Sequence, residues 1–261
     1  MALTLATDSR QPEVRRQLLF ELLQQEGQLS VRTASEALKV SEVTIRNDFI
    51  AMEREGLIQR TWGGAMFRQQ NRHEGAFTAR LSEQRADKER IAAVAATFIR
   101  DGDTIFLDAS TTAYFIAEAL RERRTITVIT NGMYTALELG PNPGITTIVV
   151  GGQVRGDTGS LIGTLSEDML AKLHVSKGFF SARGLTLAKG LTESTIFESQ
   201  LKELVIKHVD EVFAVLDTSK IGANSLTTFC PTVKIDCLIT AGDNAETIVA
   251  PFRAQMNVVL G

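Results

Sequence analysis

At 261 residues, with 44% hydrophobic and 23% charged residues, the chain has the composition of a folded globular protein, which excludes a disordered, collagen-like or membrane-spanning chain. Its longest apolar stretch, Ile91 to Ile99, is far too short to cross a bilayer, and the first residues (MALTLATDSRQPEVRR) lack the basic start and apolar run of a secretory signal, so a cytoplasmic location is expected. The net charge of −3 divides unevenly: residues 1–72 hold ten Lys/Arg against nine Asp/Glu (+1), which leaves −4 for the remainder, so any nucleic-acid surface must come from local clustering.

The first 55 residues carry helical periodicity. Pro12 suits a first helical turn, after which Val14, Leu18, Leu19, Leu22 and Leu23 form one apolar stripe that Gly27 ends. Ser30 caps a second short helix whose Val31, Ala34, Ala37 and Leu38 face inward, and Lys39 and Val40 make a turn. Ser41 caps a third helix, in which Ile45, Phe49 and Met52 recur at helical spacing and which Gly56 stops. Three short amphipathic helices with a tight turn between the last two read as a helix-turn-helix. Two extended runs, Leu57–Trp62 and Ala65–Arg68, flank Gly63-Gly64 as a hairpin wing.

Burying Ile45, Phe49 and Met52 leaves Glu42, Thr44, Arg46, Asn47 and Arg54 on the other sides of the third helix. Arg can bridge guanine O6 and N7, and Asn can bridge adenine N6 and N7. Only the N-terminal half of such a helix enters the major groove deeply, which favours Ser41, Thr44, Arg46 and Asn47 over Arg54. Arg15, Arg16, Arg32 and Lys39, with Arg60 and Arg68 on the wing, are candidate phosphate contacts. With the helix start at Ser30 and the wing tip at Trp62-Gly63, these residues form the candidate DNA-binding set. The run VSEVTIRNDFIAMEREGLIQRTWGGA resembles the helix-turn-helix and wing of the DeoR family of sugar-metabolism repressors, usually close to VSxxTIRRDLxxLexxGxxxRxHGGA. Asn47 replaces the family's second Arg, and Trp62 replaces the His before the two glycines.

After a polar, partly helical stretch the pattern alternates. Strands are expected at Thr104–Leu107, Thr127–Thr130, Thr146–Val150, Gly178–Ser181, Val212–Leu216, Cys237–Thr240 and Val258–Leu260. Helices are expected at Lys88–Ile99 and Ala113–Leu120. A further helix, containing Phe197, Leu201, Leu204, Val205 and His208, opens on a Thr195/Glu198 capping box. Alternating strands and helices predict an α/β domain with a mostly parallel sheet. The expected organisation is a winged helix-turn-helix over 1–70, a linker over 71–86, and an α/β effector-binding domain over 87–261. Cys230 and Cys237 have neither metal-ligand spacing nor a partner pattern, and are expected in the core.

Ligands of open α/β sheets bind outside the C-terminal ends of the strands. Five polar or glycine-rich turns lie there: Asp108-Ala-Ser110-Thr111-Thr112 entering a helix, Thr130-Asn131-Gly132, Gly151-Gly152 with Arg155, Ser181-Ala-Arg183-Gly184, and Asp217-Thr-Ser219-Lys220. Hydroxyls and free N–H groups at a helix start make an anion site, although Ser or Thr there also serves as a simple cap. These turns resemble the DeoR family's D-x-G-[ST]-T, TN and D-x-S-K-F-G segments, and Lys88-Glu-Arg-Ile-Ala resembles the start of its sensor domain. The resemblance implies a domain related to ribose-5-phosphate isomerase that binds phosphorylated sugars through Asp108, Ser110, Thr111, Thr112, Asn131 and Lys220; Gly132, Gly152, Arg155 and Arg183 complete the candidate set. Arg183 stands where many relatives have Asp or Asn, and Ala109 where they often have Gly. The added cation implies either a more acidic effector or a structural ion pair.

The expected function is a sequence-specific DNA-binding repressor of a sugar-utilisation operon, released by a phosphorylated sugar, with operator DNA as partner and a homo-oligomeric state, dimer or tetramer. No cofactor, metal or membrane association is expected. The alternative is an isomerase-like enzyme, for which Asp108, Asp217 and Lys220 could supply acid–base groups. His73, His174 and His208 are poorly placed for that role, and an enzyme has no use for a winged helix. An architectural DNA-binding protein would leave the polar strand ends without a purpose.

Overall fold

The computed structural model describes residues 12–54, 58–67, 77–170 and 172–261, and the chain forms two compact units, Met1–Arg72 and His73–Gly261.

In the first unit, α1 (Pro12–Glu26) buries Leu19 and Leu23 and ends where Gly27 takes a φ of +74° and donates its N–H to the Leu23 carbonyl at 3.0 Å. A short strand, β1 (Gln28–Ser30), leads into α2 (Val31–Leu38), whose N–H of Thr33 is capped by the Ser30 Oγ at 3.0 Å. Lys39, at φ +54°, turns the chain into α3 (Glu42–Arg54), and the Ser41 Oγ accepts the Thr44 N–H at 3.1 Å. β2 (Ile58–Thr61) and β3 (Gly64–Phe67) form the wing around Trp62-Gly63. The turn falls one residue before the expected Gly63-Gly64. The reason is steric: a Cβ on Gly64 would fall 2.2 Å from the Leu29 carbonyl oxygen, because β3 also pairs with β1. That pairing, invisible in a three-residue strand too short to show alternation, closes the unit over Ile45, Phe49 and Met52.

The second unit runs α4 (Phe77–Ser82), α5 (Arg85–Thr97), β4 (Thr104–Leu107), α6 (Thr111–Ala119), β5 (Ile126–Thr130), α7 (Met133–Leu139), β6 (Ile145–Val149), β7 (Gln153–Arg155), β8 (Ser160–Ile162), α8 (Thr164–Leu170) and β9 (Val175–Phe180). It continues with β10 (Gly184–Thr186), β11 (Gly190–Glu193), α9 (Ile196–Ile206), β12 (Val209–Asp217), β13 (Thr227–Cys230), β14 (Cys237–Ala241), α10 (Ala245–Val249) and β15 (Asn257–Leu260). All seven expected strands form one sheet in the order β15-β14-β12-β9-β4-β5-β6, with every pairing parallel.

Alternate residues of each strand face opposite layers, as the two-residue period of a strand requires. Phe106, Phe180, Ala214 and Leu216 pack with Leu201 and Val205 of α9 on one face. Ile105, Leu107, Phe179, Phe213 and Val215 pack with α5 and α6 on the other. Cys230 and Cys237 are buried free thiols, and burial pushes them up to about 12 and about 11.

Three features differ from the sequence reading. Residues 77–86, assigned there to a linker, belong to the second unit: Phe77 stacks on Tyr134 at 4.1 Å and donates its N–H to the Asp157 carbonyl at 2.9 Å. A small antiparallel sheet, β10-β11-β13, and the hairpin β7-β8 stand beside the main sheet, their strands of three or four residues too short to show alternation. Phe197, expected among the apolar residues of the amphipathic helix that is α9, is 63% exposed, because the buried stripe starts at Glu198 and runs through Leu201, Lys202 and Val205.

The order of strand addition reverses at the sheet's centre. β4 is followed outward by β5 and β6 on one side, and the chain then returns to place β9 on the other side of β4. The crevice at such a switch point is where open α/β sheets hold ligands.

Candidate functional site

Asp108 directly follows β4 and Ser181 directly follows β9, so the two meet at the switch point. The Asp108 carboxylate is fully buried: Oδ1 accepts the Ser110 N–H at 3.0 Å, and Oδ2 accepts the Ser181 N–H at 2.9 Å. Ser110 then caps α6 by accepting the Ala113 N–H at 3.0 Å. The N–H groups of Thr111 and Thr112, in the first turn of α6, donate to no group among the described residues.

Lys202, projecting from α9, holds the crevice floor. Its side chain is 5% exposed, and its Nζ lies 2.9 Å from Asp108 and 2.6 Å from Glu193, donates to the Ser181 carbonyl at 2.8 Å, and stands over the Phe229 ring. Burial alone would depress this ammonium, but Asp108, Glu193 and Glu198 outweigh it and hold it above the usual lysine range.

Above this floor lies a cavity of about 240 Å³ whose walls include Ser110, Thr111 and Thr112 of the α6 start, Ser219 and Lys220 after β12, Arg155, Arg183, and Arg80 and Lys88 from α4 and α5. The Lys220 side chain forms no ion pair or hydrogen bond among the described residues. Lys88 donates to the carbonyls of Arg80 at 2.5 Å and Glu83 at 2.6 Å, and burial pulls it down to about 8. Arg155 reaches Thr195 Oγ1 at 3.1 Å and stands 3.5 Å from Asp157 and 3.8 Å from Glu198. Burial pushes the Glu198 carboxyl up, against Lys202 and the Ser160 hydroxyl that donates to it. The arrangement presents donors and cations to an anion at the helix start, and hydroxyls and carboxylates that can pair with the hydroxyls of a polyol.

In the first unit, α3 turns Glu42, Val43, Arg46 and Asn47 outward beside a half-buried Thr44. Arg46 pairs with Glu42 at 2.9 Å, Arg32 with Glu36 at 2.9 Å, and Arg60 with Glu53 at 3.4 Å, all exposed. Such pairs are weakly held, so each arginine can exchange its carboxylate for a phosphate or a base edge. Trp62 is fully exposed at the wing tip, and the Gly63 carbonyl accepts the Val31 N–H at 2.9 Å.

Residues 15–71 match the DeoR-like helix-turn-helix domain, and residues 83–242 match the DeoR C terminal sensor domain. The HTH-type transcriptional regulator GolR of Listeria innocua is 38% identical over 242 residues, covering 93% of this chain and 95% of that protein. The chain belongs to the DeoR family of transcriptional regulators. The HTH-type transcriptional regulator IolR of Bacillus subtilis and the lactose phosphotransferase system repressor of Staphylococcus aureus are each 29% identical, covering 87% and 88% of this chain and 90% and 92% of the relatives. Among solved structures, ribose-5-phosphate isomerase A of Methanocaldococcus jannaschii is similar with a TM-score of 0.38 and 17% identity, over 51% of this chain and 53% of that one. Relatives matching nearly the whole chain are regulators, so this DeoR-family chain is a regulator and not an enzyme.

Of the effector residues expected from sequence, Ser110, Thr111, Thr112, Arg155, Arg183 and Lys220 share the cavity wall. Asp108 sits behind it, consumed in holding the α6 turn. Asn131, Gly132 and Gly152 lie outside the lining. Asn131 is buried and donates to the Leu161 carbonyl at 3.3 Å, and a Cβ on Gly132 would press to 3.0 Å on the Ala109 backbone, so both brace the turns beside the crevice. The Thr195/Glu198 box is half formed: Thr195 caps the Glu198 N–H at 3.3 Å, but the Glu198 carboxylate turns to Ser160 instead of reaching back. Sequence reasoning missed Lys202, Glu193, Glu198 and Arg80; the one visible signal was the Glu198–Lys202 spacing of four on the buried side of α9.

On the DNA side, Arg15 is not a phosphate contact. It is 6% exposed and forked onto the buried Asp48 at 2.5 and 3.1 Å, joining α1 to α3. Ser30 and Ser41 are helix caps, with hydroxyls 2.7 Å from Thr33 Oγ1 and 2.9 Å from Thr44 Oγ1. Val43, 63% exposed on α3, is an apolar groove candidate not picked out by sequence. Gly56 and Arg68, with His73 and the rest of 68–76, lie outside the described residues, as does the side chain of Arg54. No described helix is long and apolar enough to cross a membrane, and no cluster of metal-ligating residues occurs among the described residues.

Proposed function

We propose that the protein is a cytoplasmic repressor of a sugar-utilisation operon, released from its operator by a phosphorylated sugar. The observation that carries this reading is the cavity at the switch point. A helix start with two uncommitted N–H groups, three hydroxyl residues and the unpaired Lys220 faces one small volume in a chain of a regulator family. In this reading Ser110, Thr111, Thr112 and Lys220 take the phosphate, Arg155 and Arg183 face the sugar, and Asp108, Asn131, Gly132 and Gly152 hold the turns. The Staphylococcus aureus relative, named for repression of a lactose phosphotransferase system, supports control of sugar uptake or breakdown.

Operator reading falls to the first turns of α3 and the wing. Ser41, Glu42, Thr44, Arg46 and Asn47 meet base edges, and Ser30, Arg32, Arg60, Trp62 and Gly63 meet the backbone on either side. The unit over 1–70 binds DNA, residues within 71–86 couple it to the sensor, and 87–261 carry most of the effector site. A homodimer, or a tetramer of such dimers, presents two reading helices to half-sites one helical turn or a whole number of turns apart.

The test is a thermal-shift panel of sugars and their phosphates with the full chain. A ligand that binds only the folded state raises its apparent stability. Phosphorylated sugars are expected to raise Tm where the parent sugars do not; a panel in which phosphorylation makes no difference refutes the effector class. Footprinting on DNA flanking the protein's own coding region is expected to show a pair of half-sites in phase.

A further inference from the structure

Arg183 is the cavity's anomaly. It leaves the end of β9 for the small sheet, where its N–H pairs with the Thr192 carbonyl at 2.9 Å, and its side chain is 12% exposed on the cavity wall. The nearest carboxylate oxygen, Glu193 Oε2, is 3.9 Å away, beyond hydrogen-bond reach. Glu193 is already engaged: Oε1 takes Lys202 at 2.6 Å and Oε2 accepts the Ser194 N–H at 3.2 Å. Among the described residues the Arg183 guanidinium therefore makes no hydrogen bond, although it carries five donors and is largely out of water. Its nitrogens stay open to the cavity rather than sealed in the core, where a bound group can reach them, and a structural ion pair would have drawn the fork onto its carboxylate.

A second guanidinium stands nearby. Arg80 of α4 lines the same cavity, and burial first, then the field of Arg183, depresses it. The α6 start and Lys220 belong to the ends of the seven-stranded sheet, whereas Arg183 and Arg80 belong to the small sheet and to α4, so the cavity has cationic groups on separate walls. A sugar monophosphate with its phosphate at α6 would bring only hydroxyls to Arg183.

Resting on the reading of this cavity as a phosphorylated-sugar site, we infer that the effector carries a second anionic group, a carboxylate or a second phosphate, which Arg183 receives in a bidentate pair. A planar guanidinium fork matches both groups.

Calorimetry on the full chain tests this with matched probes: pentose and hexose monophosphates, the corresponding bisphosphates, and the corresponding phosphorylated sugar acids. The native protein is expected to bind at least one doubly anionic compound about 10-fold or more tightly than its monophosphate partner, the worth of a charge-assisted pair. In Arg183→Gln that advantage is lost, and the doubly anionic probe loses several-fold more affinity than the monophosphate. Carboxylate or phosphate as the second anion is read from which probe shows the advantage. Should Arg183→Gln not fold, Arg183→Lys, which keeps the charge and loses the fork, is expected to show a partial loss confined to the doubly anionic probe. Monophosphates that bind as tightly as their doubly anionic partners overturn this inference and leave the phosphate site standing, as does an equal loss on both probes in the variant. No binding by any phosphorylated probe overturns the reading beneath it as well.

Discussion

Lys202 and Asp108 meet at 2.9 Å beneath the cavity, one from the helix after β11 and the other from the end of β4, and both are almost wholly buried. Through this contact the turn that starts α6 and the loop that follows β9 share one cation. Removing one partner of such a buried pair leaves uncompensated charge behind. Lys202→Met is expected to lower unfolding stability by about 3–5 kcal/mol, measured by urea denaturation. A loss below about 1 kcal/mol would mean that Asp108 and Glu193 find other partners.

Arg15 and Asp48 make the same argument in the first unit. Arg15→Ala is expected to cost stability on the order of 3–5 kcal/mol while leaving the salt dependence of DNA binding unchanged. A phosphate contact would instead reduce the slope of log affinity against log salt by about one unit with little change in stability.

The fold was legible wherever periodicity was long enough. Seven strands and the three helices of the first unit show in Ile105 to Leu107, Val212 to Leu216 and Ile45 to Met52, because apolar residues recur at the spacing each element imposes. The polar residues that end up buried were not legible. Arg15 and Arg16 are neighbours of one residue type, yet only a third dimension tells that Arg15 faces Asp48. Lys202 reads as the solvated flank of α9 until β4, β9 and β11 bring Asp108, Ser181 and Glu193 around it. The two wing glycines likewise look equivalent in sequence and differ in space.

That difference gives a third prediction. Gly63→Ala is expected to change stability by less than about 0.5 kcal/mol, since its Cβ would meet nothing within 4 Å. Gly64→Ala forces β3 away from β1, because its Cβ would strike the Leu29 carbonyl, and the Tm of the first unit is expected to fall clearly. Equal effects would contradict the β1-β3 pairing.

Lys88 is expected to make binding of a phosphorylated sugar sensitive to pH. Its folded value of about 8 lies below the ordinary lysine value of roughly 10.4, so it is charged below about pH 8 and loses that charge as pH rises through it. A phosphate with a second ionisation near about 6 stays fully charged over that range, so affinity is expected to fall as pH rises through about 8. By linkage, the unfolded chain holds more protons between about pH 8 and 10.4, so the burial cost of this lysine fades across that window and its contribution to stability improves. Lys88→Arg keeps its charge and is expected to flatten the affinity profile, as measured by titration calorimetry at a series of pH values. A native profile already flat through about pH 8 would remove Lys88 from the site.

In the proposed function, occupancy of the cavity and occupancy of the operator oppose each other. A ligand can do this only through its difference in affinity between the DNA-competent and DNA-incompetent states, and typical couplings are about 1–3 kcal/mol. The direct measurement is operator affinity at fixed salt, with and without a saturating phosphorylated sugar, for the native chain and for Lys220→Ala. The native affinity is expected to fall roughly 5–150-fold with ligand, and the Lys220→Ala affinity to match the ligand-free native value whether or not the same ligand concentration is present. A bound phosphorylated sugar that leaves native operator affinity unchanged, or that weakens operator binding by the two proteins alike, would rule out release of the operator through this cavity.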